Sequence, residues 1–190
     1  MLADGPPRFE LGGMRVSVKP EKNSRHAELA REAVESFVRS GEVVDVRDAS
    51  PELGGVRAGA FVCLKKEGCL RGCIGTLRPA APSLAEEIRD NAISSACRDP
   101  RFPPVSPAEL DGLTYSVDVL GEPEEIPDAS HLDPEVYGVI VRSGGRSGLL
   151  LPDLQGVNTT EEQVRIASMK AGIRPGEPVR LERFKVTRYE

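Results

Sequence analysis

The chain has 190 residues, and with 39% of them hydrophobic it can form one substantial core or two small lobes. Because 25 Lys and Arg face 30 Asp and Glu, the net charge of -5 gives no long-range attraction for nucleic acid. No apolar run approaches the ~20 residues that span a bilayer, and the first residues lack the pattern of a signal peptide. We therefore expect a cytoplasmic protein that binds neither membranes nor nucleic acid.

The N-terminal part of the chain divides into a leader and the start of a folded domain. Residues 1–20 contain three prolines without apolar periodicity, which predicts a loose leader or an alternative start near Met14. A single domain is expected over residues 21–190. Ser24 is a suitable N-cap for a helix from Arg25 to Ser40, which Gly41 would end. A short strand is predicted from Val43 to Val46.

The segment CLRGCIGT, from Cys69 to Thr76, is the most informative in the chain. It forms the second half of a predicted hairpin over residues 59–77, and its two glycines indicate a bulge or a close approach of a ligand or another backbone. In a regular strand, side chains alternate between two faces. The residues predicted to share one face are Cys69, Arg71 and Cys73, and those predicted to share the other are Leu70, Ile74 and Thr76.

The remaining elements alternate between helices and hairpins. Ser83 and Glu86 form a capping box for a helix that Asp99 and Pro100 end. The other predicted elements are a strand at 113–120, an acidic surface loop at 121–130, a hairpin at 137–142 and 148–151, a helix capped by Thr160 and Gln163, and a closing strand at 179–189. Since βαβ units are missing from this order, the sequence predicts an α+β fold with a mostly antiparallel sheet and flanking helices.

Four cysteines and two histidines do not form a metal-binding pattern. No CxxC pairs occur, so neither a zinc site nor any cofactor is predicted. Cys69 and Cys73 would lie about 13 Å apart on an extended strand, too far for a disulfide. Cys63 and Cys97 are interpreted as small buried apolar residues.

Several motifs together resemble the AMMECR domain family. They are CLRGCIGTL, DPRFPP from Asp99, SVDVLG from Ser116 and GLLLPDLQGV from Gly148, and the similarity runs from about Arg25 to the C-terminus. Within that family the chain is most similar to the prokaryotic group called AmmeMemoRadiSam system protein A. The resemblance implies a two-lobed domain whose motif hairpin faces a cleft. It also implies a Memo-like protein and a radical S-adenosylmethionine enzyme as partners.

Two functional hypotheses follow for the motif. In the first, the protein is an accessory enzyme or substrate-handling subunit that binds a small polar or anionic molecule in the cleft. Cys73 would be the reactive or contacting thiol and Arg71 the cation that stabilises a thiolate or anion. The residues expected to bind the molecule are Gly72, Gly75, Thr76, Asp99 and Arg101. In the second, the protein is a non-catalytic interaction domain that docks one of the implied partners.

A purely structural interpretation of the same residues remains open. Gly72 and Gly75 would permit tight packing, Cys73 would fill a small hole, and Arg71 would hold Asp99 or Asp118. Candidates for a general base are also scarce. His26 and His131 are both expected to be solvent-exposed, and SGGRSG from Ser143 to Gly148 is interpreted as a hairpin turn because no helix or GK[ST] follows it.

Overall fold

The computed structural model describes residues 24–154 and 156–190 and has an α+β fold, as predicted. The predicted leader at 1–20 lies outside the described residues. The helices are α1 (Arg25–Ser40), α2 (Pro51–Gly54), α3 (Leu84–Cys97) and α4 (Thr160–Lys170), with short 3₁₀ helices at Pro107–Gly112 and Ala129–His131. The strands are β1 (Ala60–Lys66), β2 (Cys69–Gly75), β3 (Leu113–Leu120), β4 (Glu124–Ile126), β5 (Gly138–Ser143), β6 (Arg146–Leu150), β7 (Arg180–Phe184) and β8 (Val186–Tyr189).

The helix boundaries follow the predicted capping residues closely. The Ser24 side chain accepts a hydrogen bond from the Ala27 N–H, and Gly41 ends α1 at a left-handed φ of 75°. Ser83 caps α3 in the same way. Only α4 differs, because Thr159 rather than Thr160 is its N-cap and accepts from the N–H three residues later.

The strands form two four-stranded antiparallel sheets. The first has the order β2-β1-β3-β8, and the second has the order β4-β7-β5-β6. Helices α1 and α3 cover one face of the first sheet, where Val34, Val62 and Ile88 are fully buried. Helix α4 packs on the second sheet through Ala167, which is also fully buried. Each sheet therefore has its own helix-covered core.

Two chain segments pass from one sheet to the other. The predicted closing strand at 179–189 is two strands, β7 in the second sheet and β8 in the first, separated at Lys185. The predicted acidic loop contains β4, which continues the path of β3 into the second sheet. The Gly121 N–H donates to the Lys185 carbonyl at 2.8 Å, so the two crossings lie side by side.

Two further predictions were wrong. Residues 43–46 form no strand, and Val43 is 55% exposed, because no neighbouring strand pairs with this segment. His26 is buried rather than exposed: its ring stacks on Tyr189 of β8, with 3.7 Å between the ring centroids. The face of α1 that carries His26 therefore packs against the C-terminal strand.

None of the helices within residues 24–154 and 156–190 combines the length and the apolar character required to cross a membrane.

Candidate functional site

The CLRGCIGT strand contains a β-bulge that changes which side chains share a face. Leu64 lies opposite Gly72, but Lys65 lies opposite Leu70, so Arg71 is the extra residue in β2. Regular alternation is lost at that point. As a result Leu70 and Cys73 lie on one face of the sheet, and Arg71 does not share that face with Cys73 as a regular strand would require.

Gly72 allows α3 to lie directly on the hairpin. A Cβ atom at this position would lie 2.1 Å from the Ser95 carbonyl oxygen of α3, which no side chain tolerates. The close approach lets the Ser95 hydroxyl enter the β1–β2 ladder, where it donates to the Val62 carbonyl at 2.7 Å and accepts from the Ile74 N–H at 2.8 Å. The missing side chain at Gly72 thus allows α3 to pack closely on the hairpin.

The opposite face of the hairpin forms one wall of a pocket of about 450 Å³ between the two sheets. The first sheet contributes Cys73, Gly75 and their cross-strand neighbours Cys63 and Phe61. The second sheet and the end of α4 contribute the facing wall. Leucines provide most of the apolar lining: Leu70, Leu77, Leu149, Leu150, Leu151 and Leu154. Its volume falls in the range of about 300–1,000 Å³ that is usual for small-molecule sites.

Cys73 lines this pocket as a protonated thiol. A hydrogen bond with the Cys63 thiol and then burial raise the pKa of Cys73 well above its ordinary value, while the same hydrogen bond lowers the pKa of Cys63. Arg71 does not contribute to either shift. A resting Cys73 thiolate stabilised by Arg71 is therefore not what this geometry produces.

Asp99 and Arg101 bind the backbone of Cys73 from the loop after α3. The Asp99 carboxylate accepts from the Cys73 N–H at 2.9 Å, and the Arg101 guanidinium donates to the Cys73 carbonyl at 3.2 Å. Burial alone would raise the pKa of Asp99, but hydrogen bonds from Arg101 and Cys73 outweigh it and hold that pKa at about 2. Arg101 also lines the pocket, so these two predicted residues do lie beside Cys73.

Two lysines add positive charge to the pocket. Lys65 of β1 and Lys170 at the end of α4 both line it, whereas no Asp or Glu does among the described residues. Although Lys170 is exposed at the surface, partial desolvation and the Arg101 cation lower its pKa. Neither lysine is among the predicted site residues, because nothing in the sequence indicates that the end of α4 faces the β1–β2 hairpin.

Arg71 lies outside the pocket and connects β2 to the segment before β3. Its guanidinium donates to both carboxylate oxygens of Glu109, at 2.8 and 3.2 Å. The hydrogen bond from Arg71, followed by the one from the Ser106 N–H, lowers the pKa of Glu109 to about 2. The partner of Arg71 is thus Glu109 rather than the predicted Asp99 or Asp118. Asp118 instead pairs with Arg188, and both side chains are buried.

Thr76 is also separated from the pocket. Its hydroxyl donates to the carboxylate of Glu87, a residue of α3 that is only 2% exposed. The second carboxylate oxygen of Glu87 accepts from the N–H groups of Ala80 and Ala81, each at 2.8 Å. Thr76 therefore helps to fix the loop before α3, and an anion held jointly by Thr76 and Cys73 would need a rearrangement of this network.

No three side chains of the metal-binding types His, Cys, Asp and Glu cluster together in the part of the chain that the structure describes. His131 lies in an exposed 3₁₀ helix beside Asp128 and is not among the pocket residues.

The molecule is thus an α+β protein with a thiol-lined, cation-bearing pocket between two antiparallel sheets. A model of the AMMECR1 family matches residues 27–190. The chain belongs to the AMMECR1 family. The crystal structure of an uncharacterized protein from Pyrococcus horikoshii superimposes with a TM-score of 0.78 at 34% identity, covering 86% of this chain and 88% of that one.

Relatives in other organisms show the same domain in chains of different length. A Thermotoga maritima protein is 54% identical over 168 residues, covering 87% of this chain and 97% of its own. A Clostridium acetobutylicum protein is 45% identical over 174 residues, which cover 90% of this chain but only 37% of the Clostridium protein. The domain therefore occurs both as most of one relative and as a minor part of a longer one.

Proposed function

We propose that this AMMECR1-family protein binds a small molecule with an anionic group and an apolar portion in the pocket beside Cys73. One observation carries the proposal: three cations, Lys65, Arg101 and Lys170, line a pocket in which leucine is the commonest residue and which contains no acidic side chain among the described residues. Because the whole chain has a net charge of -5, this local excess of positive charge runs against its average composition.

The three cations are not equally available to a ligand. Arg101 already forms an ion pair with Asp99 at 2.7 Å, so its charge is largely balanced. Neither Lys65 nor Lys170 forms an ion pair with a described residue, and Lys170 is accessible to solvent. An anionic group would therefore gain most from the two ammonium groups. Arg101 would contribute hydrogen bonds at the Cys73 end of the pocket.

The apolar walls account for the rest of the ligand. Leu149 of β6 and Leu151 just after that strand are buried and line the pocket from the second sheet's side, while Leu70 and Leu77 belong to the hairpin side. Apolar surface covered by a ligand contributes about 25 cal/mol per Å². Cys73 acts here as a contacting thiol, since its raised pKa keeps it protonated. The protein would thus handle a substrate without needing a thiolate nucleophile.

The proposal is tested with 1-anilinonaphthalene-8-sulfonate, a fluorescent anion with an apolar body. Titration should show saturable binding that octanoate displaces and octylammonium does not. Lys170→Glu should weaken binding at least tenfold, because it reverses a charge inside the pocket. Arg165→Glu is the matched control on the same helix, since Arg165 is exposed and does not line the pocket.

Equal affinity in the two variants, or equal displacement by octanoate and octylammonium, would remove the proposal of an anion-selective pocket. A second readout strengthens the test: an occupied pocket should slow the reaction of Cys73 with N-ethylmaleimide and leave the exposed Cys69 unaffected.

A second candidate function is an interaction domain that docks a Memo-like protein or a radical S-adenosylmethionine enzyme. The observation that favours an interaction role is the Clostridium relative, in which the match covers only 37% of a longer chain. If no small anion binds, but Lys170→Glu abolishes copurification with a Memo-like protein or a radical enzyme, the docking function is the correct one.

A further inference from the structure

Cys63 and Cys73 lie directly opposite each other in the β1–β2 ladder. The backbone of Cys73 shows which kind of pair they form. Its N–H donates to Asp99 and its carbonyl accepts from Arg101, so both groups point away from β1. This is the non-hydrogen-bonded type of antiparallel pair, in which the Cα atoms are about 4.5 Å apart and the side chains are closest.

That spacing permits a disulfide without movement of the strands. Disulfides join residues whose Cα atoms lie about 4.4–6.8 Å apart, and the spacing usual for this type of pair falls at the short end of that range. Both side chains lie on the same face of the sheet and line the same pocket. All four cysteines are free thiols in the structure, so both members of the pair are reduced.

The other two cysteines are not placed to compete. Cys69 lies opposite Lys66 at the end of the hairpin, is exposed, and does not line the pocket. Cys97 is the last residue of α3 and packs against the helix-covered core. Cys73 therefore has one sulfur neighbour that it can reach, and that neighbour is Cys63.

We infer that Cys63 and Cys73 are an oxidisable dithiol that closes to a cross-strand disulfide when a peroxide enters the pocket. Cys63 is 3% exposed and Cys73 is more accessible, so a peroxide meets Cys73 first. Loss of one proton from the pair leaves one thiolate and one thiol, and the charge lies on Cys73 when the remaining proton moves to the Cys63 sulfur.

The oxidation proceeds in two balanced steps. The Cys73 thiolate attacks one peroxide oxygen, so that the S–O bond forms, the O–O bond breaks, and the second oxygen leaves as water after taking a proton. The Cys63 sulfur then attacks the Cys73 sulfur; the S–S bond forms, the S–O bond breaks, and hydroxide leaves as water with the Cys63 proton. Two thiols and one peroxide give one disulfide and two water molecules.

The test treats the folded protein with hydrogen peroxide, blocks the remaining thiols with N-ethylmaleimide, and maps the non-reduced tryptic peptides by mass spectrometry. Cleavage after Lys65 and Arg71 separates Cys63 from Cys73, so their disulfide joins two peptides. We expect that linked peptide, and we expect the alkylatable thiols to fall from four to two while Cys69 and Cys97 remain labelled.

Two variants make the assignment specific. Cys69→Ser should form the same linked peptide. Cys63→Ser should form none and should instead accumulate a Cys73 sulfenic acid that dimedone traps. Failure to form the Cys63–Cys73 link in the wild type, or a disulfide from Cys73 to Cys69 or Cys97, would overturn the inference whatever the pocket binds.

Discussion

Gly72 and Ser95 approach so closely that a methyl group on Gly72 would lie 2.1 Å from the Ser95 carbonyl oxygen. Gly72→Ala should therefore push α3 away from the hairpin and lengthen the two hydrogen bonds of the Ser95 hydroxyl. We expect the free energy of unfolding to fall by about 2–4 kcal/mol, in the range of severe overpacking. Urea denaturation followed by circular dichroism measures this.

Gly112→Ala is the matched control for that substitution. A Cβ at Gly112 would meet nothing closer than 3.9 Å, and the residue needs no left-handed backbone. Its effect should stay within about 0.5 kcal/mol. If both alanine variants had the same stability, the close approach of α3 would have no energetic importance.

The buried ion pair between Asp118 and Arg188 joins the β3 and β8 strands. Asp118→Asn would remove the carboxylate charge that pairs with the Arg188 guanidinium, and both side chains are about 5% exposed or less. We expect a loss of about 3–5 kcal/mol in the free energy of unfolding.

The exposed pair of Arg165 and Glu162, 3.8 Å apart, provides the comparison. Arg165→Gln should change stability by less than about 1 kcal/mol, because solvent screens this pair. A small effect of Asp118→Asn, similar to that of Arg165→Gln, would show that water reaches the Arg188 guanidinium.

Acid should destabilise the protein through Asp99 and Glu109. Their pKa values in the folded protein are about 2, below the ordinary values of 3.8 and 4.5. Groups with a depressed pKa contribute stability above their unfolded pKa, and that contribution is lost as pH falls through the folded pKa. The urea midpoint should therefore be nearly constant from pH 7 to 5 and should fall between about pH 4.5 and 2, with about 1–3 kcal/mol lost for each group.

Glu109→Gln should lower the free energy of unfolding at pH 7. It should also make the fall in stability at acidic pH shallower, because the variant lacks the carboxyl group whose pKa is depressed. Glu122 is exposed and forms no ion pair with another described residue, so Glu122→Gln should keep the pH dependence of the wild-type stability. If stability fell equally steeply with acid in the wild type and both variants, a role for the Arg71–Glu109 pair would be contradicted.

Alkylation should rank the thiols by exposure and protonation. Cys69 is exposed and should react with N-ethylmaleimide at least tenfold faster than Cys73, whose pKa is raised by the Cys63 hydrogen bond and by burial. Cys63 should react last. Timed labelling with peptide mass spectrometry measures the order, and a Cys73 that reacts ahead of Cys69 would indicate a stabilised thiolate.

Much of the fold could be predicted because local signals were strong. Ser24, Gly41 and Ser83 fixed the helix ends through their own hydrogen bonds or backbone conformation, and these boundaries are confirmed. The strand at 113–120 is also confirmed, because alternation of apolar and polar residues depends only on neighbours in sequence. The break at Lys185 was not predictable, since it depends on which distant strand pairs with each side of it.

The site shows the same division between local and distant contacts. The glycines of CLRGCIGT indicated a bulge or a close approach, but the position of the extra residue, Arg71, is set by pairing with β1. Its partner Glu109 and the approach of Lys170 to the pocket depend on tertiary packing. The family resemblance is confirmed, whereas the roles assigned to Cys73 and its neighbours stay predictions.

The crossing of β3–β4 beside β7–β8 also bears on how the molecule denatures. The segments β3–β4 and β7–β8 form one long antiparallel ribbon, and each sheet contains half of it. The Gly121–Lys185 hydrogen bond lies at its midpoint. Because β3 continues into β4 and β7 continues into β8, unfolding of either sheet would also pull on strands of the other sheet. Thermal unfolding should accordingly be a single cooperative transition. Limited proteolysis during that transition should release no folded half of the molecule.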